Sequence, residues 1–341
     1  MEPLIEEGAV ARASGDALDA MTAPTGQPAK VETRRKSPTQ IALARLRKDK
    51  LAMTCLTIFL FFVVIAIFAP LLAKLEGQDT TTLHQDLLDQ YGFPTIASNG
   101  DHWFGVEPRL GRDLFARFVY GARPSLIVAC SVTLITGFIG VVVGLVAGFS
   151  GGWTDRILSW IVDFVLSLPY LLFAIAVPAV LLTIFVGDAT TADTSEVTKA
   201  RFASLILVLS FLGWANLARL IRGEVLSLRE REFIAAARVL GVPTRKILFK
   251  ELLPNLVAPI IISTSLALPT YIVAEAGLTF LGVGLVEPTP SWGLTIANAT
   301  TYYRADPLYL WLPVLAISIL VLALSLLGDS IRDAFDPRTR R

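Results

Sequence analysis

The chain alternates long apolar stretches with shorter polar ones. Six stretches lack Asp, Glu, Lys and Arg altogether: Leu51–Ala73 (23 residues), Pro124–Thr154 (31), Phe164–Gly187 (24), Phe202–Ala218 (17), Leu252–Ala274 (23) and Pro307–Gly328 (22). A helix rises about 1.5 Å per residue, so about 20 apolar residues cross the ~30 Å hydrocarbon layer of a bilayer. Each stretch is long enough, the fourth marginally. The pattern predicts an all-α polytopic membrane protein with six transmembrane helices.

The polar intervals give the orientation. Lys30–Lys50 holds eight Lys and Arg, and Arg219–Lys250 holds another eight. Arg332, Arg338, Arg340 and Arg341 follow the last stretch, whereas Gly187–Ala200 sets Asp188, Asp193 and Glu196 against Lys199. Positive intervals stay inside, which places both termini and the Arg219–Lys250 loop in the cytoplasm. Six spans require the same parity. Residues 1–45 are expected to be a disordered cytoplasmic tail, since 1–29 are rich in Ala, Gly, Pro and acids without periodicity. Residues 46–123 then form the first transmembrane helix and an outer loop, 124–328 a core of five helices, and 329–341 a cytoplasmic tail. A cleavable leader is not expected, because the first apolar run starts near residue 51 and is too long. Within the outer loop, Asn99–Gly111 is turn-rich, and Asp113–Tyr120 is amphipathic and expected at the interface. The Pro- and Gly-rich Gly282–Arg304 cannot be one helix and is expected to form an outer cap or a re-entrant segment, with Trp292 part of that cap.

Composition narrows the function classes. Of 341 residues, 54% are hydrophobic and 17% charged, with a mean hydropathy of +0.62. Soluble domains carry about 25% charged residues, so a water-soluble enzyme is excluded. A net charge of +1 with no basic domain gives nucleic acid no footing. Cys55 and Cys130 lie in apolar runs, and His84 and His102 have no cysteine nearby, so neither a disulfide framework nor a zinc site is expected. The sequence has no G-x-x-x-x-G-K-[ST] loop, so it cannot cradle nucleotide in the P-loop manner. Two acids near span ends, Asp163 and Glu275, are candidates for a translocation pathway because ionisable groups in lipid are costly. Their structural alternatives are an interfacial contact with Arg156 for Asp163 and packing against the outer cap for Glu275. The second span contains Gly137, Gly140, Gly144 and Gly148, and from Gly140 onward they form a small-residue ladder suited to close helix packing within the subunit.

The interval Arg229–Asn255, REREFIAAARVLGVPTRKILFKELLPN, is too polar to span yet has helical order. Phe233, Ala236, Ala237 and Leu240 share one helix face, Gly241 stands at a C-cap with Pro243 behind it, and a second helical piece starts near Thr244. Pro254 marks the junction with the fifth span. An exposed helix with an aromatic anchor and small alanines suits docking into a groove on another protein. A membrane-surface helix is the other reading of the same periodicity.

The spacing A-A-A-x-x-x-G, with Pro254 thirteen residues after Gly241, resembles the EAA loop (224–255) of importer-type ABC permeases, with Ala235 in place of the motif's acid and Glu232 three residues before it. HWFGVEPRLGRDLFARFVYGARPSL (102–126), Tyr271–Leu285, PTPSWG (288–293) and LGDSIRDAFDPR (327–338) narrow the resemblance to the C-type permease subunit of oligopeptide/dipeptide ABC importers. Gly105-Val106-Glu107 stands where that family has Gly-Thr-Asp. The resemblance implies an importer-type permease fold with a cytoplasmic coupling helix, in a bacterial inner membrane. It also implies a second permease, two ATP-binding subunits that hold ATP and Mg, and an extracellular binding protein. Glu232, Phe233, Ala235, Ala236, Ala237, Leu240, Gly241 and Pro254 are then the ATPase-coupling residues, and the chain itself is no enzyme and binds no cofactor. Relatives with these signatures also carry nickel chelates or other small solutes. An ion-coupled secondary transporter, using Asp163 or Glu275, is the alternative of a different class, and it would have no use for the Arg229–Asn255 loop.

Overall fold

The computed structural model describes residues 38–96, 98–187 and 191–336, and all regular structure among them is helical. The helices are α1 (Pro38–Leu46), α2 (Lys50–Glu76), α3 (Leu114–Ser150), α4 (Gly152–Ser167), α5 (Tyr170–Val186), α6 (Thr194–Arg229), α7 (Glu232–Val239), α8 (Thr244–Phe280), α9 (Trp292–Ala299) and α10 (Pro307–Phe335). Five of them (α2, α3, α6, α8 and α10) are long and apolar enough to cross a membrane. The pair α4–α5, bent by 91°, makes a sixth span if counted as one.

Local chemistry sets most boundaries. The Asp49 carboxylate accepts from Leu51 N at 2.9 Å to start α2, and Gly77 ends it at φ +87°, a left-handed turn that costs glycine little. The break between α4 and α5 falls at Leu168–Pro169, because proline brings no N–H and pushes the residue before it out of helical geometry. The expected third span Phe164–Gly187 is therefore split, with Phe164 to Ser167 in α4. α4 keeps Trp153, Trp160 and Phe164 exposed. The rings of the last two stack at 5.8 Å, and the Arg156 guanidinium lies 5.0 Å from the Trp153 ring.

Three expectations are corrected. The second span begins at Leu114, not Pro124, and Asp113–Tyr120 is no interfacial strip: Asp113 caps α3, accepting from Ala116 N at 2.6 Å, and Leu114, Ala116, Arg117 and Val119 are buried. The cap and the continued burial carry the helix through Pro124. Of the expected N-terminal tail, residues 1–37 lie outside the described residues, but 38–45 are helical. There the Arg45 Nη1 donates to Ala334 O (3.3 Å) and Asp336 O (3.2 Å), joining α1 to the end of α10. Of the expected C-terminal tail, 329–335 continue α10 and 337–341 lie outside the described residues.

α3 and α6 form the most extensive helix pair. A Cβ at Gly140 would sit 2.8 Å from Leu217 Cβ, at Gly144 2.6 Å from Ala218 O, and at Gly148 2.7 Å from Val225 Cβ. The ladder is thus packing within the subunit, backbone against backbone. Gly137 instead faces α8, 3.3 Å from Thr264 Cγ2 by the same measure.

Overpacking a tight contact costs about 1–3 kcal/mol. Gly144→Ala is therefore expected to lower the thermal midpoint of the detergent-solubilised complex. Gly223→Ala, on the same α6 but with nothing within 4 Å of the added carbon, is expected not to lower it. Equal midpoints for the two variants would remove the packing role.

Candidate functional site

α6 ends at Arg229, and after a tight turn α7 runs only from Glu232 to Val239. Its C-terminus is a Schellman turn: Val242 N donates to Ala237 O and Gly241 N to Arg238 O, both at 3.0 Å, with Gly241 at φ +71°. Gly241 is the C-cap that the sequence suggests. Of the periodic face expected to dock on another protein, Phe233, Ala236 and Leu240 are exposed and Ala237 is half-buried; the inward side is built on Ile234. Ile234 is fully buried against Val225, Ile247, Leu252 and Leu256, with Ala237 half-buried beside it. Phe233, Ala235, Ala236, Val239 and Leu240 are exposed, Leu240 at 80% and Val239 at 88%. Ile234, the anchor of the inner side, is not part of the periodic set. Glu232 is exposed in the first turn, where a carboxylate complements the helix dipole.

The helix is braced from several sides. The Arg238 guanidinium lies 5.3 Å from the Phe149 ring at the end of α3, and Arg229 Nη1 donates to Gly148 O at 3.1 Å. α8 begins just after Gly241 and widens into a π-turn over Ile247–Leu252, immediately before exposed Pro254, which has no N–H to give the preceding turn.

Asp163 is 66% exposed and pairs with Arg219 at 2.7 Å, not with Arg156. Asp155 pairs with Arg222, whose Nη2 donates to Oδ2 at 2.8 Å. The two ion pairs fasten α4 to α6. Glu275 is fully buried and accepts from the hydroxyls of Ser125, Thr279 (3.0 Å) and Ser291 (3.3 Å). It thus ties α8 to α3 and to the segment leading into α9. Between α3, α5, α6 and α8 lies a recess of about 420 Å³ whose polar lining includes Thr136, Tyr170, Asn216, Thr270 and Tyr271. None of the residues lining it is charged among the described residues, and neither Asp163 nor Glu275 reaches it.

At the end of the bundle where α3 begins, the loop 102–113 is built around buried charge. Arg112 donates to Glu107 and, through Nη1 and Nη2, to both oxygens of Glu287 (2.7 and 2.9 Å). Arg117 reaches Glu287 Oε1 at 2.8 Å and Glu107 Oε2 at 3.3 Å, and Tyr309 OH donates to Glu107 at 3.1 Å. Glu107, the residue that departs from the Gly-Thr-Asp pattern, is thus the buried hub of a knot joining α3, α10 and the loops before α3 and α9. Burial opposes ionisation of Glu287, but the Arg112 hydrogen bonds and the Arg117 and Arg112 charges outweigh it and hold its carboxyl below the usual range. Burial opposes the charge on Arg112 too, and its two carboxylate partners outweigh that and raise its pKa. Asp113 caps α3 with one oxygen and meets His102 Nδ1 at 2.9 Å with the other. Trp292, fully buried, donates from Nε1 to Phe118 O at 2.9 Å, as a cap residue would. Motif spacing marked this region, but nothing local in the sequence links Glu107 to Glu287 or Tyr309.

Residues 140–341 match the family described as binding-protein-dependent transport system inner membrane component, and residues 37–89 match the N-terminal TM domain of oligopeptide transport permease C. The oligopeptide transport system permease protein OppC of Bacillus subtilis (strain 168) is 34% identical over 93% of this chain and 95% of its own. The dipeptide transport system permease protein DppC of the same strain is 37% identical over 89% of this chain and 87% of its own. The glutathione transport system permease protein GsiD of Shigella dysenteriae serotype 1 (strain Sd197) is 34% identical over 87% of this chain and 89% of its own. Among solved structures, the MetNI methionine ABC transporter in an inward-facing conformation aligns at a TM-score of 0.44 with 20% identity, over 62% of this chain and 94% of that chain.

A carboxyl held below its ordinary pKa stabilises the fold above its unfolded value, and that contribution is lost as pH falls through the folded one. Glu287 is such a group. The thermal midpoint of the wild-type complex is therefore expected to fall below pH of about 4.3, the ordinary glutamate value. Glu287→Gln is expected to start lower at neutral pH and to decline less over that window. Parallel curves would show that the knot does not depend on this charge.

Proposed function

The chain belongs to the binding-protein-dependent transport system inner membrane component family, as a permease subunit of an ABC importer of the oligopeptide/dipeptide type. From that premise we propose that it forms half of a peptide pathway and takes its drive from a partner ATPase through α7. It is a transport subunit rather than a catalytic one. The observation that carries the coupling reading is the two-sided character of α7: Ile234 locks one face to α6 and α8, while Phe233, Ala236 and Leu240 are left bare on the other. An eight-residue helix with an exposed aromatic and aliphatic pair and small residues between them fits a cleft on another protein.

On this reading α7 seats in a groove of an ATP-binding subunit, and ATP and Mg are held by that subunit and its twin. A second permease completes the pathway, and an extracellular binding protein delivers the peptide. The termini and α7 face the cytoplasm of a bacterium, as the excess of Lys and Arg in those intervals supports. When the ATPase pair closes, α7 moves with it. Its rigid seat against α6 and the start of α8 passes the displacement into two spans that line the recess. Peptide cargo is supported by the relatives, whose names specify oligopeptides, dipeptides and glutathione. Ion-coupled transport is disfavoured, since Asp163 is engaged by Arg219 and Glu275 by three hydroxyls.

The test uses the complete importer in proteoliposomes. Leu240→Asp places a charge on the bare face without touching the Ile234 side. It is expected to cut ATP-driven peptide uptake by about tenfold or more, the equivalent of ~1.4 kcal/mol of lost contact, and to abolish stimulation of the ATPase by loaded binding protein. Gly241→Leu, which must hold a side chain at φ +71°, is expected to do the same. Normal uptake by both variants would overturn the coupling role, and uptake driven by an ion gradient without ATP would overturn the class.

A further inference from the structure

The recess between α3, α5, α6 and α8 holds an anomaly. Asn216 lies inside the charge-free stretch Phe202–Ala218, yet its side chain is exposed on α6 and makes no hydrogen bond among the described residues. It stands three residues before Arg219, near the end of that stretch, and an amide left bare toward hydrocarbon would be costly, so it needs water, a partner or cargo to satisfy it. Around it the structure gathers further neutral hydrogen-bonding groups. The break at Leu168–Pro169 makes Tyr170 the first residue of α5 and directs it into the recess, 44% exposed. Tyr271 reaches across from α8 to donate to Thr136 Oγ1 at 3.3 Å. Gly213, one helical turn from Asn216, leaves room for that hydroxyl, since a Cβ there would lie 2.2 Å from it.

Building on the peptide-importer reading above, we propose that this recess is a backbone-reading station: Asn216, with the Tyr170 and Tyr271 hydroxyls, hydrogen-bonds the main-chain amides of a peptide in transit. The chemistry matches in kind. A primary amide both donates and accepts, so it can pair with the C=O and N–H of a peptide. Every peptide presents those groups whatever its side chains, so such a site handles varied sequences. The lack of charge in the lining matters equally. A carboxylate or guanidinium would hold one terminus or one side-chain type and slow its release, whereas neutral bonds hold weakly enough to let cargo leave, as conduction requires. The charges of the Glu107–Arg112–Arg117–Glu287 knot and of the α4–α6 pairs lie outside this lining.

The experiment uses the complete importer with saturating loaded binding protein. Asn216→Leu is expected to lower peptide uptake about tenfold while ATPase stimulation persists, the loss of one or two hydrogen bonds made in transit. Asn216→Gln is expected to recover most of it. Gly213→Ala, which displaces the Tyr271 hydroxyl, is expected to lower uptake as well. As a readout independent of rate, Asn216→Cys in a chain whose Cys55 and Cys130 are replaced by Ala is expected to react with a charged, water-soluble thiol reagent in the nucleotide-free or the ATP-bound state. Transported peptide is expected to slow that reaction. If the wild-type complex imports peptide and Asn216→Leu matches it, this inference falls and the functional reading stands. If Asn216→Leu does not assemble, the thiol reaction decides: no labelling in either state, or labelling that peptide does not slow, seals Asn216 against a neighbouring helix and overturns the proposal. If the wild-type complex imports no peptide, both readings fall.

Discussion

The close approach of α3 to α6 is the constraint on which the bundle depends. Lipid tails are as apolar as leucine, so burial gives two helices in a membrane no reason to associate. What holds them is van der Waals contact at short range, and Gly140, Gly144 and Gly148 permit it by leaving no Cβ between the backbones. Both ends of this pair then become platforms. At one end Arg229 of α6 donates to Gly148 of α3, and α7 is laid against the junction through Ile234. At the other, Asp113 caps α3 and the charged loop closes over it. Lengthening the distance between the two helices would loosen the seat of α7 and the cap together.

Polar groups are used in two distinct ways along this frame. Where the structure must be fixed, charge is paired with charge: buried Glu107, Arg112 and Arg117 and the partly exposed Glu287 neutralise one another, with Tyr309 completing the set. Removing one partner from such a group strands the others, which is why it specifies a single arrangement. Glu275 follows the same logic with hydroxyl donors, joining α8, α3 and the approach to α9. Around the recess between α3, α5, α6 and α8 the lining is neutral and partly unpaired, as at Asn216 and Tyr170. Buried, matched groups and the neutral lining are thus kept within a few turns of each other on α3 and α8.

The broad design was legible in the sequence because membrane spans announce themselves by composition, and because Gly241 and Pro254 punctuate the loop as caps and breaks do. The division of labour within that loop was less so. Phe233 and Leu240 fall on one periodic face and stay exposed, whereas the seat at Ile234 is decided by what packs behind the helix and leaves no periodic signal. Glu275 and Asp163 drew notice as acids in apolar surroundings, yet their partners come from α3, α6 and the cap, which linear spacing does not reveal. Asn216 left a local trace, a lone amide among apolar neighbours, which an inspection for charges alone passes over. The start of α3 at Leu114 was hidden by Arg117 and Arg123, whose charges are absorbed by Glu287 and by the Ala66 and Ile67 carbonyls.

α4 has a consequence for how the whole bundle can move. Its two tryptophans and Phe164 point outward, and Arg156 lies over one of the indoles. Indole rings prefer the headgroup level, so the exposed Trp153 and Trp160 favour keeping α4 at that level. Its ion pairs to Arg219 and Arg222 make α6 share that level. Any shift of α6 in depth would therefore drag these indoles away from the layer they favour, which sets a cost on moving it along the membrane normal.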